Sequence, residues 1–114
     1  FGHAAQINEI AKICKKYKII LIEDAAEAIG SYYKNKHLGT FGDFGIISFN
    51  GNKIVTTGGG GAILTSNIKS YRKLLKLVLV NKEKHQFEYR YKSVGYNYKM
   101  PSLNASLGIS QLNN

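Results

Sequence analysis

Apolar side chains at Ile7, Ile10, Ala11, Cys14 and Tyr17 recur with the spacing of one helical face, while Glu9, Lys12, Lys15 and Lys16 fall outside it. The pattern predicts an amphipathic helix that runs directly into a buried strand, Ile19-Ile20-Leu21-Ile22. A helix feeding a strand in this way favours a parallel sheet. Tyr32-Tyr33 and His37-Leu38 flank Lys34-Asn35-Lys36 and predict two short strands about a turn. After the loop Gly39-Thr40-Phe41-Gly42-Asp43 come two more apolar strands, Ile46-Ile47-Ser48-Phe49 and Ala62-Ile63-Leu64-Thr65. Ser66 or Asn67 is placed to cap a second helix whose apolar face is Tyr71, Leu74, Leu75 and Val78. Residues 81–99 are polar, basic and tyrosine-rich, with no clean period. Pro101-Ser102 opens a last helix whose Ala105, Ser106 and Gly108 are small enough for close helix packing. The order of elements predicts the α/β class.

Length changes how that pattern is read. With 114 residues, from Phe1 to Asn114, the chain holds enough for one small domain. Its apolar strands have few partners, so the expectation is a piece of a longer protein with much of the native sheet outside it. Alone, such a piece is expected to fold poorly, because its strand edges and faces would be exposed. No apolar run approaches a membrane span and no secretory signal is evident, which makes the cytoplasm the expected compartment. The single cysteine, Cys14, excludes an internal disulfide framework. His3, His37 and His85 lack metal-ligand spacing and read as structural or surface residues; no metal is expected.

The formal net charge is +9, and it is uneven. Residues 1–57 hold seven Lys/Arg against five Asp/Glu, whereas residues 58–114 hold nine against two. Such an excess reads either as a lysine-rich solvated face or as a surface for an anion. Nucleic-acid binding is not expected, since no recognition motif accompanies the charge.

The chemistry concentrates around Lys53. It follows Ser48-Phe49-Asn50-Gly51-Asn52 and precedes Gly58-Gly59-Gly60-Gly61. An amine that attacks a carbonyl must be neutral, which calls for a dry or cationic pocket, and a glycine run lets backbone approach a flat ligand. Taken alone, a lysine in a turn also reads as a surface residue. The P-loop pattern is absent, and no G-x-G-x-x-G opens a helix. Asp24, at the carboxyl end of a strand, occupies the position where open α/β sheets bind ligands, and equally one for a cap or an ion pair. Ser48 reads as a core hydroxyl or a phosphate ligand. An amine for a Schiff base and an acid for a pyridinium nitrogen are together what a pyridoxal phosphate site requires.

Taken in order, Asp24-Ala25-Ala26-Glu27, Gly39-Thr40-Phe41-Gly42-Asp43, Ser48 through Lys53, Thr56-Thr57 with the glycine run, and Gly95-Tyr96-Asn97-Tyr98-Lys99-Met100 resemble the DegT/StrS family of sugar aminotransferases over nearly the whole chain. The resemblance implies pyridoxal 5'-phosphate as cofactor, a fold-type-I large domain with a mostly parallel sheet flanked by helices, and a homodimer. It implies transfer of an amine, with glutamate as donor, to a nucleotide-linked keto sugar. The wording around Lys53 is closest to members acting on 4-keto-6-deoxy sugars linked to UDP or GDP. By the same resemblance Lys53 is the Schiff-base lysine and Asp24 the partner of the pyridine nitrogen. Ser48 is a phosphate ligand, and Asn97 reaches the phosphate of the neighbouring subunit's cofactor. Glu27 stands where many members have glutamine, beside the ring and its phenolic oxygen; a carboxylate there has a second reading, substrate selection. Family members that dehydrate sugars carry histidine where Lys53 stands, so the lysine argues against that branch; a sugar dehydratase or regulatory member is the alternative within the fold. A basic, non-catalytic binding segment is the alternative outside it. Residues 1–114 are read as part of the large domain, without its N-terminal part and without the small C-terminal domain.

Overall fold

The computed structural model describes residues 2–112, which divide into two compact units: residues 2–66 with 101–112, and residues 67–100. The first unit contains α1 (Ile7–Tyr17), β1 (Ile22–Asp24), β2 (Tyr32–Tyr33), β3 (Lys36–His37), β4 (Phe44–Ser48) and β5 (Gly61–Leu64). The second contains α2 (Ile68–Val78), and the chain returns to the first unit with α3 (Ser102–Leu112).

The main sheet has the order β1-β4-β5 and is mixed. Strands β1 and β4 are parallel, with Ile22, Glu23 and Asp24 beside Phe44, Gly45 and Ile46. Strands β4 and β5 are antiparallel, with Ser48 opposite Gly61. Within the described residues the sheet is thus mixed rather than mostly parallel. Residues 49–60 contain no crossover helix, and a chain that turns back without one can only return antiparallel. A correction concerns Ile19, Ile20 and Leu21, which precede β1 rather than forming it. Backbone bonding to the β4 side starts at Leu21, whose carbonyl accepts from Asp43 and Phe44 N–H.

The hairpin β2–β3 turns on Lys34 and Asn35, both at positive φ (47° and 63°). That is the two-residue turn whose twist matches the strands. Helix α1 forms as its periodicity predicts and ends at Lys18 in the left-handed region (φ 55°). Of its apolar face only Ile7 is buried, and it joins Ala25, Ala28, Leu38 and Ile47 in the core.

Between β1 and β4 the packing depends on one carboxylate. Glu23, 8% exposed, accepts from the N–H of Gly39 (2.8 Å), Phe41 (2.5 Å) and Gly42 (2.6 Å). Its neighbour in the register, Gly45, must lack a side chain, because a Cβ there would overlap the carbonyl oxygen of Gly39. Asp43 completes the loop by accepting from Leu21 N–H (2.9 Å).

In the second unit, Asn67 caps α2 by accepting from Lys69 and Ser70 N–H (2.9 and 3.0 Å). The expected apolar face of α2 is only partly covered, with Tyr71 and Leu75 exposed. The segment after α2 folds back on itself through the bridges Leu79–Asn97 and Lys82–Tyr91. Among the described residues no helix is long and apolar enough to cross a membrane.

Replacing Glu23 by Gln keeps the shape but turns an N–H₂ toward at least one of three N–H donors. In the full-length protein Glu23→Gln is expected to lower unfolding stability by about 2–3 kcal/mol, measured by denaturant titration. A loss below about 0.5 kcal/mol would show that the carboxylate is not what holds the 39–42 loop.

Candidate functional site

Asp24 is the last residue of β1 and Ser48 the last residue of β4, so both lie at the carboxyl end of the parallel pair. Because successive side chains on a strand alternate, Glu23 is committed to the buried loop and Asp24 to the opposite face. Asp24 is exposed, and one of its oxygens accepts from Ala26 N–H (3.2 Å). That bond shapes the turn that carries Glu27. Among the described residues no helix directly follows Asp24, so this is a turn contact rather than a helix cap.

Beyond Ser48 the chain leaves the sheet in a short lobe. Ser48 Oγ accepts from Asn50 N–H (3.3 Å), and Lys53 N–H closes a turn on the Asn50 carbonyl (3.0 Å). At the neck of the lobe, the Phe49 carbonyl accepts from Thr57 N–H (3.0 Å) and the Thr56 hydroxyl (3.1 Å). Phe49 N–H donates to Gly60 (3.0 Å). Gly58 and Gly60 adopt positive φ (77° and 106°) as the chain turns back into β5. The glycine run therefore serves this reversal, and Gly61 serves close strand pairing, since a Cβ there would lie 2.5 Å from the Ile47 carbonyl oxygen.

Lys53 points inward. Its side chain is 11% exposed and its Nζ donates to Glu27 Oε1, while Glu27 is 52% exposed. The nearest partner of the amine is thus a half-exposed carboxylate rather than a cation. Asp24 and Glu27 also border a cavity of about 310 Å³ that Gly2 and His3 help to line. Asn97 belongs to the second unit, where it is exposed and bridges to Leu79 through the backbone.

The residues singled out from the sequence therefore separate into three groups. Lys53 and Glu27 touch, Asp24 and Ser48 share one end of the sheet, and Asn97 lies in the other unit. His37 is structural: one ring nitrogen accepts from Gly30 N–H (2.9 Å), and the other lies 2.5 Å from the Leu38 carbonyl oxygen. His85 Nδ1 likewise accepts from Glu88 N–H (3.0 Å). Among the described residues no group of three or more His, Cys, Asp or Glu is arranged to hold a metal ion.

Sequence reasoning missed three residues that shape the site. Glu23 was hidden beside Asp24, although the alternation of a strand required the two to serve different faces. Asn104 and Gln111 lie on α3 at i and i+7, with Gly108 between them at i+4, and they face the lobe rather than another helix. A Cβ on Gly108 would sit 2.8 Å from the Thr57 methyl, which accounts for the small residue there.

A solved structure of Helicobacter pylori PseC, an aminotransferase involved in the biosynthesis of pseudoaminic acid, matches with a TM-score of 0.92 and 32% identity over 98% of this chain and 30% of its own. GDP-perosamine synthase of Escherichia coli is 39% identical over 98% of this chain and 30% of its own length. UDP-4-amino-4,6-dideoxy-N-acetyl-beta-L-altrosamine transaminase of Campylobacter jejuni is also 39% identical, over 97% of this chain and 30% of its own. The chain thus spans about a third of the length of the relatives it matches. A family model covers residues 1–114, and the chain belongs to the DegT/DnrJ/EryC1/StrS aminotransferase family.

Proposed function

We propose that the full-length protein is a pyridoxal-phosphate-dependent aminotransferase that converts a nucleotide-linked keto sugar to an amino sugar, with glutamate as amino donor. In this reading it works as a homodimer in the cytoplasm, and residues 1–114 are part of its cofactor-binding large domain. The observation that carries the reading is Lys53: an almost fully enclosed amine, held against Glu27, at the sheet end where Asp24 and Ser48 also stand. Lysine at this position, rather than histidine, favours amine transfer over sugar dehydration.

The donor set suits the cofactor group by group. An amine is present for its aldehyde, a carboxylate for its ring nitrogen and a hydroxyl for its phosphate. When bound, pyridoxal phosphate supplies an electron sink for carbanion chemistry. Lys53 would hold the cofactor through its amine and, when free, would serve as the proton carrier. Its backbone is anchored at the turn with Asn50, and its side chain is held at the far end only by the contact of Nζ with Glu27. Asp24 favours the protonated ring nitrogen through its charge. The Ser48 hydroxyl donates to the phosphate. Glu27 positions the amine and would lie on the phenolic-oxygen side of a bound ring or toward the substrate. Asn97 donates its amide hydrogen to the phosphate in the partner's site.

Borohydride reduction of the loaded protein, followed by peptide mapping, should place the pyridoxyl label on Lys53; a label on another lysine would overturn the assignment. Asp24→Asn should keep the fold and bind the cofactor while transamination falls about 100-fold or more, since a preorganised charge is lost. Turnover at the wild-type rate in that variant would remove Asp24 from the mechanism. Homodimers carrying Lys53→Ala or Asn97→Asp should each be nearly inactive. Reassociating the two makes hybrids with one doubly damaged and one intact site, so activity should return. A silent mixture with hybrids verified by mass would put Asn97 in its own subunit's site.

A further inference from the structure

We infer that Gln111 and Asn104 of α3 are positioning residues that set where the Lys53 amine points. Thr56 lies three residues after Lys53, and both of its backbone groups are claimed by one side chain. Gln111 Oε1 accepts from Thr56 N–H (2.9 Å), and Gln111 Nε2 donates to the Thr56 carbonyl (2.6 Å). Asn104 Nδ2 donates to the next carbonyl, that of Thr57 (2.6 Å). These contacts are partly buried and cross 55 and 47 residues of sequence. Gly108, on the same stripe of the helix, is buried and admits the Thr57 methyl at a distance no larger residue would permit.

Two amide side chains thus act on the lobe as an adjacent strand would, pairing donor with acceptor on consecutive residues. The opposite side of the same neck is tied to β4 through the Phe49 carbonyl. Held from both sides, the neck can neither rotate nor slide, so the long flexible stem of Lys53 starts from a defined point and direction. A paired amide fixes rotation as well as distance, which a single hydrogen bond or an apolar contact does not. Loss of this clamp shifts the amine, and misplacement of reacting atoms by about 1 Å can cost on the order of 100-fold in rate. The effect falls on bond formation by Lys53 and leaves the groups that hold the ring and phosphate in place.

The inference rests on the assignment of Lys53 as the cofactor lysine, and its test separates the two. Full-length apoprotein is mixed with pyridoxal 5'-phosphate, and the rate at which the visible Schiff-base band appears is recorded. In parallel, affinity is measured for pyridoxamine 5'-phosphate, which has no aldehyde for Lys53 to attack. Gln111→Met is expected to slow capture about tenfold while leaving that affinity within about twofold of wild type. Asn104→Ala, a milder change, should shift the two measurements in the same directions and carries the test if Gln111→Met does not fold. Capture at the wild-type rate in the folded variants would overturn the inference. So would an equal loss of capture rate and pyridoxamine phosphate affinity, which is the signature of general damage. Wild-type protein that forms no band would remove the cofactor reading itself, and this inference with it.

Discussion

A carboxylate inside a small fold must find as many donors as it has acceptor sites, and Glu23 meets that requirement with backbone alone. Three N–H groups from a four-residue stretch converge on it, and among the described contacts no cation takes part. The stretch has no regular hydrogen-bond ladder of its own, so the carboxylate supplies the acceptors its amides need. Gly45, beside Glu23 in the parallel register, clears the space, and Gly39 takes a positive φ (86°) to lie there. Leu38, just before the loop, joins the core, and Phe41, within the loop, packs against it. One buried acid thereby fixes how the 39–43 loop, the hairpin before it and the start of β4 meet.

That arrangement also divides the labour on β1. Residues one apart face opposite ways, so a strand of three residues buries its middle member in the fold and leaves its last exposed on the other face. A slip of one residue would send Asp24 into the loop and Glu23 to the exposed face. The tripod of amides on Glu23 holds the register against that slip, and Asp24 is placed through a bond that its neighbour makes. The lobe that carries Lys53 follows the same logic on β4: Phe49 ties the neck to the strand, and α3 ties it from the other side.

Much of this was legible in the sequence where local physics decides. Helix α1, the Lys34-Asn35 turn and the Asn67 cap all follow from spacing or turn chemistry within a few residues. What escaped depends on partners far along the chain. Ile19-Ile20-Leu21 has the composition of a strand, but strand structure needs a neighbour, and β4 begins to pair only at Ile22. The antiparallel return of β5 follows from the absence of a helix in residues 49–60, a signal present in the sequence but outweighed by the βα-like pattern before it. Gln111 and Asn104 look like ordinary polar residues on a small-residue helix until their contacts with Thr56 and Thr57 are seen. The tyrosine-rich stretch has no period because its bonds run across an irregular reversal rather than along a helix or strand.

The way Glu23 is satisfied has a bearing on tolerance to brine. Ion pairs between exposed side chains, such as Arg90–Glu88 and Lys92–Glu83, fade as dissolved ions screen them. A buried acid neutralised by peptide dipoles offers mobile ions almost no access, and no paired cation that an anion could draw away. In concentrated salt the surface pairs of the second unit therefore weaken. The loop on Glu23, and with it the register that aims Asp24, keeps its geometry.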